Sequence, residues 1–265
     1  MELQEVRLNL IKAVEAAWLG GVSILDSKKR GYNVNYKADA SPVTDADMAS
    51  HLAIEHILGT SDFPRLSEEG ELLDYDERIN WSNYWSIDPL DGTKEFTRGS
   101  DEYTVNIALI VDQQPVAGVI VLPEREESYW GGPGIGLFQS KGVPRFADCL
   151  SDEYLGKPAV LPETFTAVVN RAHLNSKTQF YLEQLEEKHG EIVVRRAGSS
   201  TKFIDLSLNK AHLYPRFSPC MEWDTAAGHA LLRANGLEIL SLETNQPLKY
   251  NRESLYNPPF LAGRY

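Results

Sequence analysis

The stretch SIDPLDGTKEF, residues 86–96, places two aspartates on either side of a proline and a leucine. The residues that lead into it, YWSID, predict a strand that runs into a turn. Pro89 restrains this turn and biases Asp88 toward an extended conformation. Asp88, Asp91 and the carbonyl oxygen of Leu90 can therefore face one point, where carboxylate and backbone oxygens together suit a hard cation.

The end of the same stretch predicts a place for a bound anion. Gly92 lets a ligand approach the backbone closely, because it has no side chain. Thr93 begins a predicted helix, and backbone N–H groups at the start of a helix bind phosphate well. A cation site and a phosphate site are thus predicted side by side.

Other acidic residues lie far from this stretch along the chain: Asp47, Glu68 with Glu69, and Asp224. Each has an ordinary explanation, since acidic residues at a helix start compensate the dipole and acidic runs are usually solvated loops. Together with the two aspartates above they predict a site of three or four carboxylates, which would take up a proton unless cations lie between them. Oxygen ligands without paired histidines favour Mg²⁺ over zinc.

Length, charge and cysteine content limit the class of protein. The 265 residues suit one large domain or two tightly joined lobes. The net charge of -12 disfavours nucleic acid polymers and anionic membranes as partners. Cys149 and Cys220 show no metal-ligand spacing, so we expect reduced thiols in a cytoplasmic protein. We find neither a signal-peptide pattern nor the run of about 20 apolar residues that an integral membrane segment needs.

Periodicity predicts two helices in the first quarter of the chain. Apolar residues from Leu3 to Trp18 recur at helical spacing, and we expect Gly20–Gly21 to stop or bend this helix. Thr44 or Asp45 is predicted to cap a second helix. The apolar side of the second helix is predicted to contain Met48, Leu52, Ile54, Ile57 and Leu58.

The rest of the chain shows two different patterns of predicted secondary structure. Segment 103–132 predicts successive antiparallel strands with a turn at Gln113–Pro115, and GGPGIG near Gly131 is interpreted as a hairpin loop rather than a nucleotide-binding loop. Beyond about residue 150, strand-like and helix-like stretches alternate. We therefore predict an N-terminal α+β lobe, residues 1–150, and a smaller α/β lobe, residues 151–265, that share a large interface.

Four motifs, in this order, resemble the lithium-sensitive, magnesium-dependent phosphatase family that includes inositol monophosphatase: LSEE, DPLDGTKEF, YTVNIALI and WDTAAGHA. Further motifs are similar to one branch of it, the 3'(2'),5'-bisphosphate nucleotidases: SPVTDAD, GSSTKF, LYPRF and the KEF end of the opening stretch. The resemblance runs from about Lys37 to the C-terminus. It implies a layered αβαβα sandwich in two tightly joined lobes, with the site between them.

The resemblance also implies the metal ligands. Glu68, Asp88 and the Leu90 carbonyl are expected to hold one Mg²⁺. Asp88, Asp91 and Asp224 are expected to hold a second, and a third, weaker ion near Glu68 is a further expectation. Two ions about 3.5–4 Å apart can clamp the attacking and leaving oxygens of an in-line displacement.

A proton acceptor is implied next to the metals. Thr93 and Asp47 match the pair that receives a proton from the metal-bound water, with Asp47 accepting it through the threonine hydroxyl. Glu68 counts among the implied catalytic residues, whereas Glu69 is expected to act only indirectly. The implied reaction is hydrolysis of the 3'-phosphate of a small nucleotide, 3'-phosphoadenosine 5'-phosphate, to AMP and phosphate by a metal-activated water.

Two cations are implied for the phosphate that is not cleaved. Lys202 and Arg216 are expected to bind it, and Ser199 and Ser200 to add hydrogen bonds. From the residues alone, Lys202 is better explained as a solvated helix lysine, and Arg216 equally well as part of a structural ion pair. The full implied set of substrate contacts is Gly92, Thr93, His173, Gly198, Ser199, Ser200, Lys202, Arg216 and Asp224.

The adenine contacts stay open. His173 is expected to stack on the base, although a lone histidine near a strand end is more often structural. Related proteins often have Ser-Arg-Ser-His there, whereas this chain has Asn170 and Ala172 in place of the serines.

Two other functions also stay open. One is hydrolysis of an inositol phosphate or sugar phosphate by the same chemistry. The other is a non-catalytic sensor of nucleotide or metal, against which stands a competent residue at every position expected to serve metal, water or proton. The sequence does not determine the oligomeric state, and the resemblance allows a peripheral association with the inner membrane.

Overall fold

Helices and strands alternate along the chain in the computed structural model, which describes residues 1–37, 42–151, 153–155, 159–171 and 174–264. The helices are α1 (Leu3–Arg30), α2 (Asp45–Leu58), α3 (Tyr75–Arg78), α4 (Thr93–Thr97), α5 (Ser176–His189), α6 (Thr201–Ser207) and α7 (Trp223–Ala234). The strands are β1 (Val34–Tyr36), β2 (Pro42–Thr44), β3 (Arg65–Ser67), β4 (Asn83–Asp91), β5 (Thr104–Val111), β6 (Gln114–Leu122), β7 (Glu127–Gly132), β8 (Gly136–Lys141), β9 (Glu153–Tyr154), β10 (Thr166–Asn170), β11 (Val193–Ala197), β12 (Leu213–Arg216), β13 (Glu238–Ser241) and β14 (Phe260–Gly263).

The strands form two large sheets stacked between helices. A seven-stranded sheet has the order β3-β4-β5-β6-β7-β8-β9, and a five-stranded sheet has the order β11-β10-β12-β14-β13. Helices α1 and α2 cover one face of the first sheet, α6 and α7 lie between the sheets, and α5 packs on the second sheet. This αβαβα layering is the sandwich that the sequence predicted.

Strand β4 is buried on both faces, although the polar Ser86 and Asp88 interrupt its apolar residues. Trp85 and Ile87 point into the core beneath α1 and α2, and Tyr84 points into the core around α7. The β4–β5 register shifts between Asp88 and Asp91, where the proline turn interrupts regular pairing. Packing therefore fixes the strand firmly up to the point where its two aspartates emerge.

The predicted antiparallel strands and the hairpin between β7 and β8 are both present. The turn between β5 and β6 falls at Asp112–Gln113 rather than at Gln113–Pro115. Asp112 and Gln113 both have positive φ, 47° and 64°, as the tight two-residue hairpin turn requires. Pro115 instead lies within β6, so the predicted position of the turn was wrong by a residue or two.

The predicted break of the first helix at Gly20–Gly21 was wrong, because α1 continues to Arg30. A Cβ atom at Gly20 would lie 2.7 Å from Ser50 Oγ of α2, so glycine permits a close approach of the two helices. Gly21 faces Pro123 in the same way, at 3.2 Å. These glycines satisfy tertiary packing, which overrides their weak helix propensity.

Helix α2 begins as predicted but buries a narrower side. Thr44 is its N-cap, and its hydroxyl accepts from the N–H of Ala46. Ile54 and Leu58 are buried, whereas Met48 is 41% and Leu52 63% exposed. The predicted apolar side was therefore wrong in part.

By length and composition alone, α1 could cross a membrane. One side of it, including Leu10, Val14 and Ile24, is buried against α2 and the first sheet. The core of the protein therefore accounts for the apolar character of this helix.

The division into lobes at residue 150 stays a prediction. Strand β9 lies beyond that residue yet pairs with β8 in the first sheet, and α7 contacts strands of both sheets. The two sheets therefore share one continuous layer of helices.

We predict that Gly118→Ala destabilises the protein by about 1–3 kcal/mol, because β6 and α7 leave no room for a side chain. The new Cβ would lie 2.5 Å from the Ala227 carbonyl oxygen and 2.9 Å from Ala230 Cβ. Thermal unfolding measures the effect. Gly70→Ala is the control, since its nearest contact would be 3.3 Å, and an equal loss in both variants would contradict the packing argument.

Candidate active site

The end of β4 brings together carboxylates from three parts of the chain. Oxygen atoms of Glu68, Asp88 and Asp224 all lie within 4.8 Å of one another. Because β3 pairs in parallel with β4, the residue that follows β3 reaches the same edge of the sheet as Asp88. Asp224 comes from the first turn of α7, which packs against β4. The structure thus places these three predicted residues together, and their roles stay a prediction.

Asp91 lies beside this group and is held by hydrogen bonds. Its Oδ2 accepts from Ser200 Oγ at 3.0 Å and from Asn106 Nδ2 at 3.3 Å. Asn106 also donates to Ser200 Oγ at 3.0 Å and is buried. Asn106 could not be found from the sequence alone, because nothing in the local sequence shows what an asparagine on a buried strand contacts. At the turn itself, the Leu90 N–H donates to Asp88 Oδ1 at 3.1 Å.

These carboxylates crowd negative charge into a buried place. Burial, followed by the charges of Glu68 and Asp91, raises the pKa of Asp88 well above its usual range. Burial and the charge of Asp91 likewise raise the pKa of Asp224 to about 7. Carboxylates this close remain ionised together only when cations lie between them. The donor set, with the Leu90 carbonyl beside it, therefore fits a hard divalent cation.

Asp47 and Thr93 form the predicted pair next to the cluster. The Thr93 hydroxyl lies 3.0 Å from Asp47 Oδ1 and 3.2 Å from the Leu90 carbonyl oxygen, and can donate to either. Asp47 Oδ2 accepts from the N–H and the hydroxyl of Thr44, at 2.7 and 2.6 Å. Asp47 is 2% exposed, and its burial raises its pKa. The helix cap therefore fixes the carboxylate that faces Thr93.

Lys37 also reaches the acidic cluster, which the sequence analysis did not foresee. Its Nζ lies 2.8 Å from Glu68 Oε1 and 2.7 Å from Glu69 Oε1. Burial works to lower the pKa of Lys37, but the hydrogen bonds from the two glutamates outweigh it and raise the pKa. A cation of the chain itself thus balances part of the charge at Glu68 and Glu69.

A turn at residues 198–200, called the 198–200 turn below, lies on the opposite side of Asp91. Ser199 has a positive φ of 37°, and its hydroxyl lies 3.0 Å from Thr104 Oγ1. Lys202 Nζ donates to the carbonyl oxygens of Ala197 and Ser199. Lys202 is only 3% exposed, so its interpretation as a solvated helix lysine was wrong. Burial, followed by the charge of Arg216, lowers the pKa of Lys202 to about 8.

Arg216 is the second predicted cation of this side. Its Nη1 donates to the Tyr214 hydroxyl at 2.9 Å and its Nη2 to the Pro219 carbonyl at 3.1 Å. Within the part of the chain that the structure describes, its hydrogen-bond partners are neutral oxygens, so the structural ion pair that we considered is not observed there. A cavity of about 180 Å³ joins the cluster to these cations, and its lining includes Asp91, Gly92, Asn170, Gly198, Ser199, Lys202, Arg216 and Asp224.

The expected adenine contact, His173, lies outside the described residues, as does Ala172. Asn170 lines the cavity, and its Oδ1 accepts from the Tyr214 hydroxyl at 2.8 Å. His229 of α7 is fully buried and makes specific contacts. Its ring nitrogens lie 3.0 Å from the Tyr250 hydroxyl and 2.7 Å from Glu238 Oε2.

Comparisons with known proteins establish the family. The model of the inositol monophosphatase family matches residues 7–261, and the chain belongs to that family. The 3'(2'),5'-bisphosphate nucleotidase CysQ of Escherichia coli strain K12 is 39% identical over 232 residues, which cover 86% of this chain and 88% of the relative. The crystal structure of CysQ from Bacteroides thetaiotaomicron is 40% identical, with a TM-score of 0.88 over 97% of both chains.

A more distant structure confirms the fold alone. The extragenic suppressor protein suhB of Bartonella henselae is 23% identical, with a TM-score of 0.73 over 96% of this chain and 92% of suhB. The family resemblance and the layered fold predicted from the sequence are both confirmed. The family is one of metal-dependent phosphatases, and among the residues that the structure describes the acidic cluster could hold a metal.

We predict that Mg²⁺ stabilises this protein and that Asp88→Asn removes most of the effect. Magnesium at 100 times its Kd should add about 2.7 kcal/mol to the free energy of unfolding, because it binds only the folded cluster. This corresponds to a rise of about 5–10 °C in Tm. Thermal unfolding with chelator and with magnesium measures both effects.

The same experiment contains its control. Asp101→Asn changes an exposed aspartate whose partner is Arg125, so its magnesium shift should equal that of the wild type. Because Asp88→Asn removes one charge from the buried cluster, this variant without metal should be at least as stable as the wild type. A full magnesium shift in Asp88→Asn would contradict the assignment of the cluster.

Proposed function

We propose that this chain is a magnesium-dependent phosphatase that hydrolyses the 3'-phosphate of 3'-phosphoadenosine 5'-phosphate to AMP and phosphate. The observation that carries the proposal is one cavity whose lining joins two residues of the acidic site, Asp91 and Asp224, to two cations, the buried Lys202 and the half-buried Arg216. This arrangement suits a substrate with two phosphates. The relatives named 3'(2'),5'-bisphosphate nucleotidase, at 39% identity, support the same substrate.

The acidic cluster is proposed to hold two Mg²⁺ ions. Glu68, Asp88 and the Leu90 carbonyl would hold one. Asp88, Asp91 and Asp224 would hold the other. When bound, such ions supply Lewis-acid activation of water and stabilise the charge of the leaving oxygen.

Thr93 and Asp47 are proposed to move the proton. In one of its two arrangements, the Thr93 hydroxyl donates to Asp47, which leaves its lone pairs available to accept from an attacking water. The raised pKa of Asp47, caused by burial, makes the carboxylate a better base than an exposed aspartate. The two residues therefore act as a relay, and Thr44 keeps Asp47 in place.

The substrate would lie along the cavity. Its cleaved phosphate would contact the backbone at Gly92 and Thr93, beside Asp224. The other phosphate would contact Lys202 and Arg216, with Gly198, Ser199 and Ser200 supplying hydrogen bonds. His173 keeps its proposed place against adenine.

An inositol phosphate or a sugar phosphate is the alternative substrate within this family. The cations at the far end of the cavity disfavour it, because a ligand without a second phosphate would leave Lys202 and Arg216 without a charged partner. A non-catalytic sensor is the other alternative. The Asp47–Thr93 pair disfavours it, because nucleotide binding alone needs no proton acceptor at the metal cluster.

We predict that, with Mg²⁺, phosphate release is fastest from 3'-phosphoadenosine 5'-phosphate in a panel that contains inositol 1-phosphate, 5'-AMP and a sugar phosphate. Chelation should stop the release. Phosphate release from purified protein measures this preference directly. Faster release from inositol 1-phosphate would replace the proposed substrate by the alternative.

We predict that Asp47→Asn lowers kcat by about 10²–10⁴-fold and leaves KM within a few-fold, because Asp47 accepts the proton without contacting substrate. Asp45→Asn is a matched control in the same helical turn, since its side chain bonds Asn33 instead. Steady-state kinetics tests both variants. If the purified wild type bound the nucleotide but released no phosphate, the sensor would be the better description.

A further inference from the structure

Glu102 contacts two turns: the turn at residues 88–92, called the metal-side turn below, and the 198–200 turn. A Cβ atom at Gly92 would lie 3.3 Å from the Glu102 carbonyl oxygen, and a Cβ atom at Gly198 would lie 2.9 Å from the same atom. The Gly92 position would also approach Ser199 Cβ to 3.2 Å. The backbone of Glu102 therefore contacts both turns closely, at a place where the turns also approach each other through Gly92 and Ser199.

The side chain of Glu102 binds the 198–200 turn directly. Its Oε2 accepts from the Gly198 N–H at 2.9 Å. The same carboxylate receives two hydrogen bonds from Arg171, at 2.5 Å from Nε and 2.6 Å from Nη2. Arg171 Nη2 also donates to the Arg196 carbonyl at 3.1 Å, which ties the pair to the end of β11. Paired, two-point contacts of this kind fix geometry as well as charge.

The turn that Glu102 holds is strained. Ser199 has a φ of 37°, in the left-handed region, which a residue other than glycine keeps only when its surroundings enforce it. Three residues supply those surroundings. Lys202 donates to the Ser199 carbonyl oxygen, the Thr104 hydroxyl lies within hydrogen-bond distance of the Ser199 hydroxyl, and Glu102 accepts from the Gly198 N–H. Glu102 also contacts the metal-side turn, and so adds to the Ser200–Asp91 hydrogen bond in connecting the two turns.

Arg171 balances the charge of Glu102, which would otherwise repel a phosphate bound nearby. Its side chain is 14% exposed and lies beside the cavity, where a bare carboxylate would repel an anion. Burial works to raise the pKa of Glu102, but the hydrogen bonds from Arg171 and Gly198 outweigh it and lower the pKa. Arg171 thus lets an acidic residue serve as an anchor next to a phosphate site.

We propose that the Glu102–Arg171 ion pair sets the distance between the carboxylate cluster and the 198–200 turn. Through that distance, the ion pair selects substrates with two phosphates. This inference rests on the proposed function. A rigid bisphosphate gains from both ends only when they stand at the matching distance, and a misplacement of about 1 Å is costly. A monophosphate uses the metal end alone. Glu102 is therefore a positioning residue for specificity.

The test compares 3'-phosphoadenosine 5'-phosphate with adenosine 3'-phosphate, which lacks only the second phosphate. In Glu102→Ala we expect KM for the bisphosphate to rise about tenfold while kcat changes less than twofold. KM for adenosine 3'-phosphate should not change. Arg171→Met should shift KM in the same direction, because it leaves the Glu102 carboxylate unbalanced beside the phosphate.

Two further variants separate positioning from folding. Glu102→Gln keeps an oxygen for the Gly198 N–H but loses the charge for Arg171, so its effect should lie between those of wild type and Glu102→Ala. Asp101→Ala removes the neighbouring exposed pair with Arg125 and should leave both KM values unchanged. Unfolding temperatures of all variants identify any that fail to fold, and the exposed Arg171→Met retains the test if Glu102→Ala does so.

Each other outcome has a distinct meaning. Equal losses on both substrates would assign Glu102 a general structural role and overturn the proposal. A lower KM for the bisphosphate in Glu102→Ala would also overturn it, because it would mean that the released Arg171 binds phosphate itself. If the wild type fails to hydrolyse the bisphosphate at all, the proposed function fails instead.

Discussion

Repulsion among buried carboxylates is the constraint on which the rest of this structure depends. Asp88 is 1% exposed and lies within 4.8 Å of acidic oxygens from β3 and α7. Such a group is unfavourable in isolation, so packing elsewhere must hold it in place. Strand β4 has apolar cores on both faces. Helix α7 packs so closely on β6 that only glycine fits at Gly118. The packing of the apolar layers holds the acidic residues in an arrangement that their mutual repulsion would otherwise disrupt.

The turn that carries Asp88 and Asp91 could be predicted from the sequence because its signals are local. A proline between Asp88 and Asp91, followed by a glycine, restricts the backbone whatever surrounds it. The misplaced β5–β6 turn and the unbroken α1 show the limit of such signals. Gly20 lies in a helix because α2 approaches it, and a neighbour 30 residues away leaves no mark on the local pattern.

The residues that sequence reasoning missed share one property. Lys37, Asn106 and Glu102 each act through partners that are distant along the chain, and none lies in a pattern that dictates a contact. A lysine before a turn or a glutamate before a strand is ordinarily solvated. Their positions become informative only once the fold brings the metal-side turn and the 198–200 turn to the same cavity.

Opposite charges at the two ends of the cavity explain how a protein with a net charge of -12 can attract an anion. Burial is the main cause of the lowered pKa of Lys202, and the nearby charge of Arg216 lowers it further. Their hydrogen-bond partners in the described part of the chain are uncharged oxygens, so their charges are met only at longer range, by Asp91 and Asp224. Divalent cations at one end and a phosphate at the other would balance both. Bound cations attract the negative bisphosphate, and the bisphosphate in turn attracts the cations. Each should therefore bind more tightly when the other is present.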